Sequence, residues 1–201
     1  MTTWICKPLA ALGLLVLLGA CDEASTRTGL LASLTPPSDT ALPAVPLTRA
    51  LMMRGGVTLV PPRGYCIDPE NLSQSFAIMA RCDSLGAATG GAGAPVGFLT
   101  VSFTRNTSDA VLPTAQDVAT ASGLGTPSDT RSGDSSVVFK TTGPTPADDL
   151  SPTHWRGISQ IGGFTMGAAL FGPEGLRAIS AEGADVLGEL IRKTTATQTP
   201  S

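Results

Sequence analysis

Residues 153–171 read THWRGISQIGGFTMGAALF. Gly162-Gly163 stands between two runs in which apolar and polar residues alternate, the pattern of a two-residue turn joining antiparallel strands. Side chains alternate across a strand, so pairing outward from the turn sorts them by side. Trp155, Ile161, Phe164, Met166 and Leu170 fall on one side, and His154, Arg156, Gln160 and Thr165 on the other. The first set is core material and includes Trp155; the second is the polar side of the hairpin, with His154 at a strand start beside solvent. An antiparallel sheet is therefore the expected framework.

Strands are predicted on both flanks. Val57–Val60 is a short strand ended by the turn Pro61-Pro62-Arg63-Gly64, and Tyr65–Asp68 continues in extended form. Val96–Thr104 alternates, with Leu99, Val101 and Phe103 on one side and Thr100, Ser102 and Thr104 on the other; this is a half-buried strand. Residues 135–141 form a further strand, and 86–97, rich in Gly and Ala, a mobile loop. Phe76–Ala80 reads as a strand, but residues 69–82 also fit a helix capped by Asp68, with Pro69 at its first position and Leu72, Phe76 and Met79 on one face. The strand is preferred because a hairpin would set Cys66 and Cys82 on neighbouring strands. Both readings stand at this point.

Two helices are expected. Residues 113–122 carry Thr114 three positions before Asp117, a capping-box pattern, with Gly123 as the stop. Residues 174–193 are amphipathic, with Leu176, Ile179, Val186, Leu187, Leu190 and Ile191 as the buried stripe. Glu174 and Glu182 lie early and Arg192 and Lys193 late, matching the helix dipole. Gly183 and Gly188 weaken this helix unless they let it lie close to a sheet.

The resulting order, strands followed by a helix and then strands followed by a helix, resembles the Mog1/PsbP-like sandwich. The resemblance implies an α+β fold, a mainly antiparallel sheet covered by helices, over residues 55–195. The extra strand near Tyr65 departs from that pattern. The blocks GYCID, FAIMARC and HWRG also resemble a set of small bacterial lipoproteins that carry no established activity.

The amino terminus points to a location. Lys7 precedes the apolar run Leu9–Leu18. At about ten residues this run is half the length a membrane-spanning helix needs and suits the central region of a secretory signal. Leu18-Gly19-Ala20-Cys21 resembles the lipobox of bacterial lipoproteins, which implies cleavage before Cys21 and lipid attachment to it. The alternative is an ordinary secretory signal with an incidental thiol. Several buried acyl chains, at about 0.8 kcal/mol per CH₂, make a lasting anchor. By enteric-type sorting Asp22 favours the inner membrane, with the outer membrane as the alternative.

These readings divide the chain into a signal peptide (1–20), a lipid anchor and flexible tether rich in Ser, Thr, Pro and Ala (21–52), one α+β domain (53–194) and a disordered tail (195–201). The whole chain has 13 basic and 16 acidic residues, a net of −3. Loss of the signal removes only Lys7, leaving 12 against 16, or −4. No basic patch is present to pair with phosphates, so nucleic acid is not an expected partner. Cys6 leaves with the signal and Cys21 takes lipid, which leaves Cys66 and Cys82. In an oxidising compartment the pair is expected to form a disulfide; a reactive or metal-binding thiol pair is the alternative.

Catalytic patterns are poor. His154 is the one histidine. Gly157-Ile-Ser159-Gln-Ile161 has Ile where a nucleophile elbow needs Gly, and it lies in a strand. Lys140-Thr-Thr-Gly143 lacks the S-x-x-K partner of penicillin-recognising enzymes. No catalytic residue, cofactor or metal site is assigned. A polar patch of Arg63, Tyr65, His154 and Arg156 is the candidate partner-binding surface. The expected function is a membrane-anchored, periplasm-facing, non-enzymatic binding or assembly module with an envelope protein partner. Two alternatives are a small-ligand module with a pocket lined by Met79, Phe103 or Phe164, and an envelope hydrolase using His154.

Overall fold

A computed structural model describes residues 45–107 and 111–197. Ten strands and two α-helices follow one another as β1 (Ala50–Met52), β2 (Val57–Leu59), β3 (Tyr65–Leu72), β4 (Phe76–Arg81), β5 (Phe98–Arg105), α1 (Ala115–Ala121), β6 (Ser128–Ser132), β7 (Ser136–Thr142), β8 (Thr153–Ile161), β9 (Phe164–Phe171), α2 (Ala181–Lys193) and β10 (Thr195–Ala196). The fold is α+β. Seven strands form an antiparallel sheet in the order β3-β4-β5-β9-β8-β7-β6, and β1, β2 and β10 form a small second sheet.

The hairpin is as the alternation dictates: Ile161 faces Phe164, and Trp155 faces Leu170. One side of the large sheet carries the main core. Trp155, Met166, Leu170, Leu99, Val101, Phe103 and Met79 lie there beneath Val186, Leu187 and Leu190 of α2, with Met52, Val57 and Leu59 of the small sheet completing the cover. Gly183 permits the approach of α2, since a Cβ at that position would stand 2.4 Å from Trp155 Cδ1. Trp155 Nε1 donates to the Ser180 carbonyl at 2.7 Å, which fixes the helix start over the hairpin. On the opposite side, α1 presents Ala115 and Ala119 to Val137 and Phe139.

Several expectations need correction. Residues 76–81 are strand, and the helix alternative fails because Asp68 and Pro69 lie inside β3. The Asp68 carboxylate accepts from Glu70 N at 2.9 Å and Asn71 Nδ2 at 2.7 Å, making a turn-like kink where the β3–β4 register shifts. The second helix begins at Ala181, not 174: Gly175 has φ +72°, Ser180 is the cap, and Leu176 is 43% exposed. Glu174 therefore lies outside it and accepts instead from the Ser151 hydroxyl. The limits 53 and 194 fall inside the small sheet, since β1 lies in the stretch expected to be tether and β10 in the stretch expected to be tail. β6, all polar and exposed, has no counterpart in the expected order. The 86–97 loop is tied down by Tyr65, whose hydroxyl donates to the Pro95 carbonyl at 2.8 Å. Among the described residues no helix is long and apolar enough to cross a membrane.

Candidate functional site

The side of the sheet away from α2 is covered over only part of its width. Helix α1 lies on β7, whereas β4 and β5 present outward residues to solvent: Phe76 is 39% exposed and Ser102 is exposed. The register explains a hollow in this face. Arg156 pairs with Ala169, Ala169 with Thr100, and Thr100 with Ile78; the adjacent row runs Ile158, Gly167, Ser102, Phe76. In both rows β9 contributes its smallest side chains, Ala169 and Gly167, between larger ones. A cleft of about 200 Å³ results, walled by Arg156 and Ile158 on one side, Thr100, Ser102 and Phe76 on the other, with Val118 of α1 at its rim.

Arg156 is held from beneath. Its Nε–H donates to His154 Nε2 at 2.9 Å, and its guanidinium carbon lies 5.6 Å from the centre of the Phe171 ring. The remaining imidazole nitrogen, Nδ1, lies 2.9 Å from the Pro152 carbonyl. A carbonyl can only accept and a guanidinium can only donate, so His154 must be neutral with its proton on Nδ1. Its ring stacks on Phe171 with centroids 4.6 Å apart, and Phe171 stacks on Phe98 at 5.4 Å. Burial pushes the His154 pKa down, against the opposing pull of the Pro152 carbonyl and with a further push from the Arg156 charge.

His154 stands at the start of β8 as expected, but it is 0% exposed rather than beside solvent. The hairpin side assigned to it was right, but that side is covered at its β7 end and by Phe171. Both ring nitrogens are engaged, and neither bonds to a serine hydroxyl. Ser159 projects from β8 on the opposite side of the sheet, as its odd position beside Trp155 requires.

Arg63, Tyr65, His154 and Arg156 do not form one patch. Tyr65 is buried in the core on the α2 side, and burial drives its pKa up, with Glu182 adding to the rise. Arg63 N donates to Glu189 Oε1 at 3.1 Å and lines a separate cleft with Glu182, Glu189 and Arg192 of α2. His154 and Arg156 alone are brought together, through the sheet to the other side. Cys66 and Cys82 are bonded, with Cα atoms 4.8 Å apart, linking β3 to the turn after β4. Cys21 lies outside the described residues. Sequence reasoning missed Phe76, Thr100 and Ser102 as a surface; the polar side of the alternating strand β5 was the available signal. Among the described residues no cluster of three or more His, Cys, Asp or Glu could hold a metal ion.

Met79, Phe103 and Phe164 are packed into the core and line none of the clefts described above. No family model matches this sequence, and no curated protein sequence matches it. Among solved structures the chain is similar to the Ran-binding protein Mog1p of Saccharomyces cerevisiae, at 12% identity and a TM-score of 0.49, over 76% of this chain and 96% of that one. It is also similar to cyanobacterial PsbP from Synechocystis, at 14% identity and a TM-score of 0.45, over 80% and 98% of the two chains. A protein from Bacteroides thetaiotaomicron is similar at 11% identity and a TM-score of 0.46; the match covers 76% of this chain but 49% of that one. Similarity at this level concerns the arrangement of strands and helices and brings neither an activity nor a partner to this chain.

Proposed function

We propose that the protein is a non-enzymatic envelope lipoprotein, anchored through Cys21 and facing the periplasm, whose domain binds a protein partner through the open half of its sheet. The observation that carries this reading is the uneven cover of the large sheet. Its α2 side is closed by a helix and a second sheet, while β4 and β5 expose Phe76 and Ser102, with half-buried Thr100 between them and the Arg156 cleft. The lipobox pattern and the tether support the location: about twenty-five residues of coil ahead of Leu47 would reach roughly 27 Å, which frees the domain to meet partners off the membrane. The hydrolase reading has no nucleophile beside His154 among the described residues, and the small-ligand reading has a packed core where its pocket was expected.

The test is site-specific photo-crosslinking in cells, with the reactive group placed at Phe76 or Ser102 and, as a control, at Leu51, which is exposed on the small sheet. A discrete adduct of one mass from the two sheet positions and none from Leu51 supports the reading. Equal adducts from all three positions, or none from the sheet positions, would overturn it. The intact mass of protein extracted from membranes tests the anchor separately: a chain starting at Cys21 with acyl mass is expected.

A further inference from the structure

Buried cations are ordinarily neutralised, because removing an ion from water costs several kcal/mol that only an opposite charge or dense hydrogen bonding repays. Arg81 is paired with Asp83, Arg131 with Asp185 and Arg177 with Glu182. Arg156 is half-buried, as is Arg81, while Arg131 and Arg177 are exposed, yet no described carboxylate pairs with Arg156. It is held by a neutral imidazole and an aromatic face, and neither supplies a negative charge. That arrangement uses the Nε–H alone and fixes the plane of the guanidinium. The two terminal nitrogens keep their N–H groups, and neither is shut off from solvent without a partner.

We infer that Arg156 is a built carboxylate-recognition point, and that the cleft over Gly167 takes one acidic residue of a protein partner. A guanidinium with its two terminal nitrogens free presents the fork that a carboxylate matches in a bidentate pair. Among the described residues Arg156 is the only charged one lining the cleft, so its single charge suits a monoanion, whereas phosphate sites gather several cations or backbone N–H groups. The Thr100 hydroxyl stands opposite, beside the Ser102 hydroxyl, which donates to the Gly167 carbonyl at 3.5 Å and can still accept, and Phe76, Ile158 and Val118 supply apolar walls for the side chain's stem. At about 200 Å³ the cleft is smaller than the roughly 300–1,000 Å³ of cofactor and drug-sized pockets, and it fits a side chain. The acid can be a chain terminus or an Asp or Glu side chain. The inference rests on the sheet-face reading above and names the chemistry of its partner.

The experiment is an NMR titration of the intact protein, following the Arg156 Nε–H resonance and the Thr100 and Ser102 amides. Four probes are used: N-acetyl-leucine, N-acetyl-glutamic acid 1-amide, N-acetyl-leucinamide and inorganic phosphate. One or both carboxylates are expected to shift these resonances saturably, and the neutral amide to bind at least about tenfold more weakly. The better acid tells a terminal from a side-chain carboxylate. Arg156→Lys, which keeps the charge but loses the fork, is expected to weaken the acids by about tenfold. If that variant does not fold, the acid-against-amide comparison on the unaltered protein decides. Equal binding of acid and amide, tighter binding of phosphate than of either acid, or unchanged affinity in a folded Arg156→Lys overturns the inference. Such a failure alongside a discrete crosslink from Phe76 would leave the binding face standing and remove the carboxylate alone.

Discussion

His154 and Arg156 are two residues apart on one side of β8, and their shared hydrogen bond exists only while the imidazole is neutral. A proton on Nε2 would set a donor against a donor and place two cations together, one of them fully buried. The folded-state pKa lies below the unfolded value of about 6.5, depressed first by burial, so the unfolded chain takes up the proton first. This contribution to stability is complete above about pH 6.5 and is lost as the pH falls through the folded-state value. Urea unfolding between about pH 7 and about pH 5 is expected to show stability declining with acid in the native chain, and a flatter profile in His154→Gln. Asp83, held low by the Arg81 guanidinium, and Asp117, held low by the Thr114 hydroxyl, act in the lower range below about pH 4 and are separable from it. A native profile flat over the upper window would show that the imidazole is not held neutral. The side of the strand on which both residues lie was legible in the alternation around Trp155. That His154 is covered and Arg156 has no described acid partner was not, because cover and counter-charge come from residues distant in sequence.

Among the elements, the two helices show how local signals succeed and where they stop. The capping box at the start of α1 is present in both directions: Thr114 Oγ1 accepts from Asp117 N, and Thr114 N donates to the Asp117 carboxylate at 3.0 Å. Thr114→Ala is expected to cost about 1 kcal/mol in chemical denaturation. For α2 the apolar stripe was readable, but the start was not. Glu174 and Leu176 fit the period, and only the φ of Gly175 and the Ser180 cap exclude them. The two glycines inside α2 separate by their surroundings, which sequence alone leaves equivalent. A Cβ at Gly183 would lie 2.1 Å from the Ala178 carbonyl oxygen as well as against Trp155, both rigidly held. At Gly188 it would meet only the end of the Arg192 side chain, at 3.2 Å. Gly183→Ala is therefore expected to destabilise by about 1–3 kcal/mol despite the better helix propensity, whereas Gly188→Ala gains about 0.5–1 kcal/mol. Thermal melts of the two variants check the pair; shifts of the same sign would refute the close approach of α2 to β8. The strand β6 was illegible for a different reason. An exposed edge strand reading SDTRS has no buried side, so no alternation marks it.

At the scale of the molecule, the small sheet fastens both ends of the domain to its middle. β2 pairs with β1 on one edge and β10 on the other, and Thr197 N donates to the Gly56 carbonyl at 3.0 Å. These pairings cover Met52 and Val57, so Thr195, Ala196 and Thr197 are tied to the small sheet where a polar composition suggested a free tail. Ending the chain after Lys193 is expected to cost about 1–3 kcal/mol, from two or three backbone hydrogen bonds and newly wetted apolar surface, read as an earlier midpoint in urea. The opposite edge of the large sheet has a different fastening. β3 and β4 lie beyond the reach of α1, on the half proposed to receive a partner, and the Cys66–Cys82 bond ties them together at the end near the Gly90 loop. Closing a loop of this length contributes roughly 3 kcal/mol through the entropy of the unfolded chain. Cys66→Ala/Cys82→Ala is expected to lose about that much global stability. Hydrogen exchange adds a sharper reading, because β8 and β9 sit mid-sheet under α2 whereas β3 is an edge strand with a kink at Asp68. In the double variant, exchange should accelerate in β3 and β4 by more than the global loss explains, while β8 and β9 follow the global value alone. Uniform acceleration across all seven strands would mean that the disulfide acts on the unfolded chain only and does not hold the open edge in shape.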